Sequence, residues 1–238
     1  MAKKRTPKVK TEKQIEALSK ISAAISSELY LEDILRLIVT VTAEVMNSNI
    51  CSLMLLNEER NELEVKATQS ISEEYLKKPP IKIGEGIAGR VLKEGKVIIS
   101  RNVKKDPNYS NRDIAIKENL TSLLSMPLIV KGKVIGVLNC YTSKLHKFTN
   151  QEIAILTTVA NQAAVAIRNT ELLVKSKVIQ EELEARKVIE RAKEVIMQEK
   201  NLNGEEAYKR MRKQSMDSRR SMREIAEAIL LAKEIEKQ

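Results

Sequence analysis

The residues best suited to chemistry are basic and lie close together in the C-terminal part of the sequence. Residues 207–223 contain seven Lys or Arg side chains against a single Asp, a charge of +6 within a chain of net charge +10. Lys209, Arg212 and Lys213 have the spacing i, i+3 and i+4, which places them on one face of a helix. Such a face can bind phosphate groups or an acidic protein surface, although many charged helix faces are only solvated.

Other reactive residues argue against catalysis. His146 is the single histidine. This excludes metal sites and proton relays that are built from several histidines. Cys51 and Cys140 lie in apolar, strand-like runs, and we expect buried free thiols. Residues 84–89 match Gly-x-Gly-x-x-Gly without the parallel-sheet context of a dinucleotide site, so these glycines are expected to permit a tight turn into a helix. We expect no catalytic residue, no metal and no enzyme activity.

The N-terminal two thirds of the chain mix helix and strand patterns. Thr149 and Glu152 form a capping box that opens a long helix. The pattern predicts an α+β fold, an antiparallel sheet with flanking helices. The predicted order is helix, hairpin, short helix, strand, polar loop, hairpin and long helix, at residues 31–46, 50–67, 83–92, 97–100, 102–118, 122–142 and from 150 onward.

Residues 173–238 have a helical pattern throughout. Apolar residues repeat at heptad positions from Ala160 to Val195, interrupted by Glu171 and Glu181. This seam favours a parallel homodimer, and the alternative is a single helix that packs on its own domain. The long helix is therefore predicted to join two domains.

Two shorter helices are predicted after the long one. Residues 203–206 form a turn and cap, and the helix that follows is expected to end near Ser215. Residues 217–218 are predicted to separate the two helices and to cap the last one, so that Arg219 and Arg220 lie at the start of the last helix. For Tyr208, a place inside the helical bundle is favoured over an exposed ring.

A resemblance to a known family covers residues 30–172. The segments LEDILRLIVTVTAEVM, ICSLMLL, IGEGIAGRVLKEGKVIISRNVKKDP, SMPLIVKGKVIGVLNCY and FTNQEIAILTTVANQAAVAI resemble a GAF domain in content and order. GAF domains bind cyclic nucleotides, tetrapyrroles, haem, other small molecules or nothing. The Asn-Lys-x-Phe-Asp-Glu pattern of cyclic-nucleotide-binding members is absent, so the effector stays unidentified. By analogy with the family, the ligand pocket is expected near Arg90, Tyr109, Met126, Asn139 and Tyr141. An alternative of equal weight is that these residues only pack the core or face solvent.

A second resemblance covers residues 178–238. The stretch RKVIERAKEVIMQEKNLNGEEAYKRMRKQSMDSRRSMREIAEAIL is similar to an ANTAR domain, the RNA-binding module of transcription antiterminators. Glu194 stands where the family commonly has Gly, which is expected to weaken RNA binding, and Ser215 stands where Ala is frequent. The resemblance and the basic helix face together imply RNA contacts by Lys193, Tyr208, Lys209, Arg212, Lys213, Ser215, Met216, Arg219 and Arg220.

Four segments are predicted. They are a basic flexible arm (1–12), a GAF-like sensor domain (13–172), a helical or coiled-coil connection (160–195) and an ANTAR-like RNA-binding domain (178–238). No apolar run approaches the roughly 18 residues of a membrane-spanning helix, and the basic start leads into no apolar segment, so no membrane association and a cytoplasmic location are expected.

The expected function is a signal-responsive transcription antiterminator. It would bind stem-loop RNA as a homodimer under control of the sensor domain, with an upstream signalling protein as a further partner left open. The alternative is a non-enzymatic signalling adaptor whose basic helices dock an acidic partner. A DNA-binding factor is disfavoured, because the C-terminal helices lack a clear recognition helix with its usual turn.

Overall fold

The computed structural model describes residues 19, 31–48, 50–69, 72, 75 and 78–235. The basic arm predicted at 1–12 lies outside these residues. The chain divides into two compact units, Met1–Glu171 and Leu172–Gln238. Within the described ranges, no helix is both long and apolar enough to cross a membrane.

The N-terminal unit is built on a six-stranded sheet in which all neighbouring strands are antiparallel. The strand order is β3-β2-β1-β6-β5-β4, and every pairing is antiparallel. The strands are β1 (Ile50–Asn57), β2 (Glu62–Thr68), β3 (Ile81–Lys82), β4 (Ile98–Ser100), β5 (Ser122–Val130) and β6 (Lys133–Thr142). The α+β fold and the two predicted hairpins, β1-β2 and β5-β6, are confirmed.

Side chains alternate between the two faces of this sheet, as the pleat requires. On one face, Leu53 and Leu138 pack in a core beneath helix α1 (Leu31–Met46) and the first part of the long helix. On the other face, Met54 and Tyr141 belong to a second core. That second core is covered by α2 (Gly86–Glu94), α3 (Arg112–Lys117) and the connecting loops.

The glycine pattern forms the predicted tight turn into α2. Gly84 and Gly86 have φ angles of 84° and 59°, which residues with a side chain rarely adopt. At Gly89, an added Cβ would lie 2.3 Å from the carbonyl oxygen of Lys82. The third glycine therefore allows the first turn of α2 to approach the end of β3. The short strand β3 and the helix α3, which interrupts the polar stretch 102–118, were not predicted.

Three helices account for the described part of the C-terminal unit. The long helix α4 (Asn150–Lys200) begins at the predicted capping box, in which the Glu152 amide donates to Thr149 Oγ1 at 3.2 Å and the Thr149 amide donates to Glu152 Oε2 at 2.8 Å. It is followed by α5 (Gly204–Ser218) and α6 (Met222–Ile235). Their small shared core contains Ala192, Ile196, Ala207, Met211, Ile225 and Ala226.

The break between α5 and α6 lies later than predicted. The predicted end near Ser215 is wrong, because α5 continues to Ser218, whose hydroxyl donates to the Gln214 carbonyl four residues back and is used inside the helix. The cap predicted at residues 217–218 is also wrong: Ser221 caps α6 by accepting from the Glu224 amide at 3.2 Å. Arg219 and Arg220 thus form the turn between the helices.

Much of the predicted heptad seam in α4 is buried in the core of one or the other of the two units of the same chain. Ala160, Ala164 and Ile167 are buried in the core of the N-terminal unit, and Ala192 is buried in the core of the C-terminal unit. Between them, the stretch 172–184 is exposed at every position. The seam is therefore fully exposed to a second copy in this middle part of the helix, while Ala185, Val188 and Val195 are half-buried.

Candidate functional site

The basic face predicted on α5 exists and is turned away from the helical core. Ala207 and Met211 form the buried side of α5. The opposite side exposes Tyr208 at 44% and Met216 at 70% of their surfaces. The interior position favoured for Tyr208 is therefore wrong, because Ala207 takes the adjoining core position and the tyrosine ring points outward. We call the set Tyr208, Lys209, Arg212, Lys213 and Met216 the α5 basic face.

Most of the positive charge at this face has no counter-charge nearby. Lys209 pairs with Glu205 at 2.6 Å in an exposed i,i+4 bridge, which contributes little. Among the described residues, no carboxylate forms an ion pair with Arg212, Lys213 or Arg219. These guanidinium and ammonium groups are free to bind phosphate oxygens, which they do with charge-assisted hydrogen bonds.

The turn after α5 carries two further arginines. Arg219 ends the helix in the left-handed conformation, with φ of 56°. The Arg220 amide donates to the Ser215 carbonyl at 3.2 Å, and the Ser215 hydroxyl donates to the Arg220 carbonyl at 2.6 Å. Ser215 therefore supports the turn rather than presenting its hydroxyl to a ligand.

Lys193 and Glu194 lie on a different helix from the basic face. Lys193 forms an ion pair with Glu190 one turn earlier on α4. Glu194 is exposed and lies beside Leu230 and Lys233 of α6. Of the nine predicted RNA contacts, the structure gathers eight on α5 and its turn, and Lys193 is the one placed on α4.

A groove opens between the end of α4, α5 and α6. It has a volume of about 670 Å3. Its floor is apolar, with Ile196, Met211 and Ile229, and Arg210 and Arg220 stand among its basic lining residues. Arg220 is thus shared between the groove and the turn.

The N-terminal unit holds a small cavity on the sheet face covered by α2 and α3. Three of the five predicted pocket residues line it: Tyr109, Asn139 and Tyr141. Met126 belongs to the core on the opposite face of the sheet. Arg90 pairs with Glu94 at 3.3 Å along α2 and does not line the cavity.

The remaining polar lining includes residues that the sequence did not predict, chiefly Tyr75 and Lys78. The Lys78 ammonium lies 3.5 Å from the centroid of the Tyr75 ring, a cation–π contact. Both residues come from the segment before β3, where no periodic pattern indicates which side chains turn inward. Met54 also lines the cavity, but its strand is apolar at Leu53 and Leu55 as well, so the sequence pattern does not indicate which of these residues faces it.

The cavity combines phenol rings with a buried amine. The Tyr75 hydroxyl donates to Ser52 Oγ at 2.9 Å, and the Tyr109 and Tyr141 hydroxyl oxygens lie 3.3 Å apart. Burial raises the pKa of all three tyrosines, so their hydroxyls stay protonated. Burial lowers the pKa of Lys78 to about 7, against a smaller opposing effect of Glu118. The free volume is about 20 Å3, room for about one water molecule.

Comparison with known proteins identifies both units. A family profile described as "GAF domain" matches residues 28–168, and one described as "ANTAR domain" matches residues 177–230. The chain belongs to the GAF domain family and carries an ANTAR domain. This order, a GAF sensor domain followed by an ANTAR domain of RNA-binding type, is that of a regulator of the antiterminator type.

Curated relatives match part of the chain. The methyl sulfide methyltransferase-associated sensor of Methanosarcina acetivorans is 28% identical over 171 residues, covering 70% of this chain and 17% of the relative. The Nif-specific regulatory protein of Azospirillum lipoferum is 30% identical over 121 residues, covering 50% of this chain and 19% of the relative. The chain thus spans less than a fifth of the length of either protein.

Solved structures support the GAF fold. The GAF domain of a phosphoenolpyruvate-protein phosphotransferase from Coxiella burnetii aligns with a TM-score of 0.62 at 25% identity, covering 69% of this chain and 98% of that one. Free methionine-R-sulfoxide reductase from Neisseria meningitidis aligns with a TM-score of 0.57 at 19% identity, covering 67% and 91%. The latter likeness shows the fold alone.

Proposed function

We propose that this protein is a non-enzymatic, cytoplasmic regulator that binds stem-loop RNA through its ANTAR domain and promotes transcription antitermination under control of its GAF domain. The observation that carries the proposal is the α5 basic face together with Arg219 and Arg220. These cations project from one helix and its turn with few carboxylates opposite them. Binding would keep a competing terminator hairpin from forming.

The chemistry of this face suits structured RNA. Arginine and lysine supply affinity through phosphates, while discrimination requires contact with exposed loop bases. Tyr208 offers a half-exposed ring on which one base can stack, and Met216 offers an exposed apolar contact about two turns further along α5. The chain as a whole contains five Tyr, one Phe and no Trp, which argues against a multi-base single-strand platform.

A homodimer forms part of the proposal. In the exposed stretch of α4, a row of large apolar side chains lies outside the phase of the predicted heptad seam, whose apolar members here are Val174 and Val178. Leu172, Ile179 and Leu183 of this row lie at i, i+7 and i+11, on one side of the helix, with exposures of 50%, 64% and 52%. A row of large apolar side chains at this spacing is typical of a coiled-coil seam. A second copy of the same helix would bury the row and give two RNA-binding modules in one particle, so that tandem stem-loops could be bound together.

Binding to a tandem stem-loop RNA tests the proposal directly. We expect Arg212→Ala and Arg220→Ala each to weaken binding roughly tenfold, or about 1.4 kcal/mol. Arg101→Ala is the matched control, because it removes an exposed arginine from the N-terminal unit. A matched RNA with scrambled loop bases should bind more weakly to the unaltered protein.

The proposal would be overturned if the protein bound random RNA and stem-loop RNA with equal affinity and the arginine variants left both affinities unchanged. The second candidate would then apply: a signalling adaptor that docks an acidic protein. The observation in its favour is the groove between α4, α5 and α6, because an apolar floor beside basic side chains can hold an amphipathic acidic helix. Arg210→Ala, in the groove and not on the α5 basic face, distinguishes the two, since it should affect only adaptor binding.

A further inference from the structure

The groove between the end of α4, α5 and α6 has the length and shape to hold one helix. Two rows of side chains line it along its length: Arg210, Gln214 and Ser218 of α5, and Ile225, Ala228, Ile229 and Ala232 of α6. Each row covers about two helical turns, or roughly 12 Å. A helix from another molecule can therefore lie along the groove and contact both α5 and α6 over about two of its own turns.

The floor of the groove leaves apolar surface open beside the three-helix core. Met211 and Ile225 belong to that core, whereas Ile229 is half-buried and Ala228 and Ala232, one turn apart on α6, are exposed. The distance between packed helices depends on the side chains at the contact, so the two alanines allow a close approach. A fourth helix in this position would cover Ile229 and complete a four-helix bundle.

The rim of the groove is positively charged. Lys200, Arg210 and Arg220 lie along it, and no carboxylate in the described part of the chain forms an ion pair with any of the three. The one carboxylate in the lining, that of Glu199, is already bound to the Lys233 ammonium at 2.6 Å. The chemical complement of this rim is a helix that carries carboxylates on both sides of an apolar stripe.

Arg220 belongs both to this groove and to the turn that carries the proposed RNA contacts. Its backbone is held at the turn by the two hydrogen bonds with Ser215, while its exposed side chain lines the groove. A guanidinium binds a carboxylate or a phosphate through the same pair of parallel N–H groups. An acidic helix in the groove that engages Arg220 therefore removes this side chain from the RNA site.

We propose that the groove is the docking surface for an acidic amphipathic helix of a regulatory protein, and that this helix inhibits RNA binding by engaging Arg220. A protein helix is favoured over RNA as the occupant because the lining is apolar at its floor and contains no aromatic ring on which a base could stack. Docking and RNA binding are then coupled properties of one molecule. The docking does not require RNA, whereas the inhibition rests on the proposed RNA-binding function.

Calorimetric titration of the full chain with a synthetic peptide tests the docking. The peptide ELAELLEELAELLEE, with both ends blocked, places leucine along one helical face and glutamate beside it, and a matched peptide has glutamine in place of every glutamate. We expect a dissociation constant on the order of 10 μM for the acidic peptide and at least tenfold weaker binding of the glutamine peptide.

Two variants of the protein locate the peptide. Arg210→Ala should weaken binding of the acidic peptide roughly tenfold, whereas Lys187→Ala, at an exposed position on α4 outside the groove, should leave it unchanged. Absence of binding at about 1 mM peptide, equal affinity for the two peptides, or unchanged binding in Arg210→Ala would each overturn the docking.

Stem-loop RNA binding, measured with and without saturating acidic peptide, tests the inhibition. We expect the peptide to weaken RNA binding roughly tenfold, the same loss as in Arg220→Ala. The peptide should weaken RNA binding no further in the Arg220→Ala variant, because two changes that remove one shared contact are not additive. Linkage also requires RNA to weaken peptide binding by the same factor.

The outcomes separate this inference from the proposed function. Peptide binding that depends on Arg210, in a protein that binds no stem-loop RNA, would overturn the RNA function together with the inhibition and leave the docking surface standing. RNA binding without peptide binding would overturn the docking and leave the RNA function standing. An RNA affinity that saturating peptide does not change would overturn the inhibition, and weaker RNA binding in Arg210→Ala would overturn the proposal by placing RNA in the groove.

Discussion

The hydroxyl of Ser215 and the carbonyl of Arg220 are joined by a 2.6 Å hydrogen bond across the turn between α5 and α6. The Arg220 amide completes a reciprocal pair by donating to the Ser215 carbonyl at 3.2 Å. Arg219 lies inside this closed turn in the left-handed conformation, which is unfavourable for a residue with a side chain. The hydroxyl thus helps to hold a strained turn that carries two of the proposed RNA contacts.

Ser215→Ala should loosen this turn. We expect a loss of about 1 kcal/mol in the stability of the turn, seen as faster hydrogen exchange of the Arg219 and Arg220 amides, and roughly threefold weaker stem-loop binding. Ser218→Ala is the control, since the Ser218 hydroxyl donates to Gln214 within α5 at 2.6 Å. Unchanged exchange at the turn in Ser215→Ala would show that the backbone bond alone holds it.

The salt dependence of RNA binding should report the phosphate contacts. Each cation that neutralises a phosphate contributes to the slope of log affinity against log salt concentration. Arg212→Ala and Lys213→Ala are each expected to reduce that slope by about 1, whereas Arg101→Ala should not change it. A slope that stays constant in both ANTAR variants would mean that these side chains do not touch phosphate.

The exposed apolar row on α4 predicts self-association. Leu172→Glu combined with Ile179→Glu should shift the protein from dimer to monomer in sedimentation equilibrium, because two charges would be buried on each copy of the helix. Leu231→Glu is the matched control: Leu231 lies on α6, outside the row, and is 59% exposed. A monomeric unaltered protein at high concentration, with and without RNA, would contradict the dimer.

Strand pattern and capping residues were enough to predict the two hairpins of the sheet and the start of α4, but not the short strand β3. Strand-like runs joined by the polar stretch 57–61 and by the turn 131–133 indicated antiparallel hairpins, and Thr149 with Glu152 marked the helix. The pattern does not indicate which face of a two-sided sheet carries a cavity. Met126 and Asn139 were both chosen as pocket residues, yet the pleat places Met126 in the opposite core, while its neighbour Ser125 bonds to Asn139.

The features that the sequence did not predict depend on contacts between residues that are distant in sequence. Lys78 lies in an aperiodic segment, and its position depends on the rings of Tyr75 and Tyr141. At the α5–α6 turn, either Ser218 or Ser221 could have capped a helix. The choice follows from the packing of Met222 and Ile225 against the three-helix core, which sets where α6 begins.

The two cysteines should be unreactive in the folded protein. Cys51 and Cys140 face each other on paired strands with their sulfur atoms 3.2 Å apart, and both are free and buried. Burial, with Cys51 close by, raises the pKa of the Cys140 thiol, which lowers its thiolate fraction. A disulfide reagent at pH 8 should therefore label neither residue until the protein is unfolded. Lys105→Cys, at an exposed position, should react at once and serves as the positive control.

Glu152 should make folding sensitive to acid. Burial alone would raise the pKa of this carboxyl, but hydrogen bonds from Thr149 and His146 outweigh it and hold the pKa below its ordinary value. The folded state therefore favours the ionised form, and the resulting stability is present near neutral pH and lost as pH falls through the folded-state pKa. Glu152→Gln should lower the free energy of unfolding by about 1 kcal/mol at pH 7.

The difference in the free energy of unfolding between Glu152→Gln and the unaltered protein should narrow as the pH is lowered from 6 to 3. Protonation of Glu152 removes the stabilisation that its carboxylate provides. Urea unfolding followed by tyrosine emission measures this gap, since Tyr75, Tyr109 and Tyr141 all report on the N-terminal unit. Glu182→Gln, at an exposed position on α4, should not change the pH profile. A gap that stays constant across this range would mean that the hydrogen bonds at the start of α4 do not require the charged carboxylate.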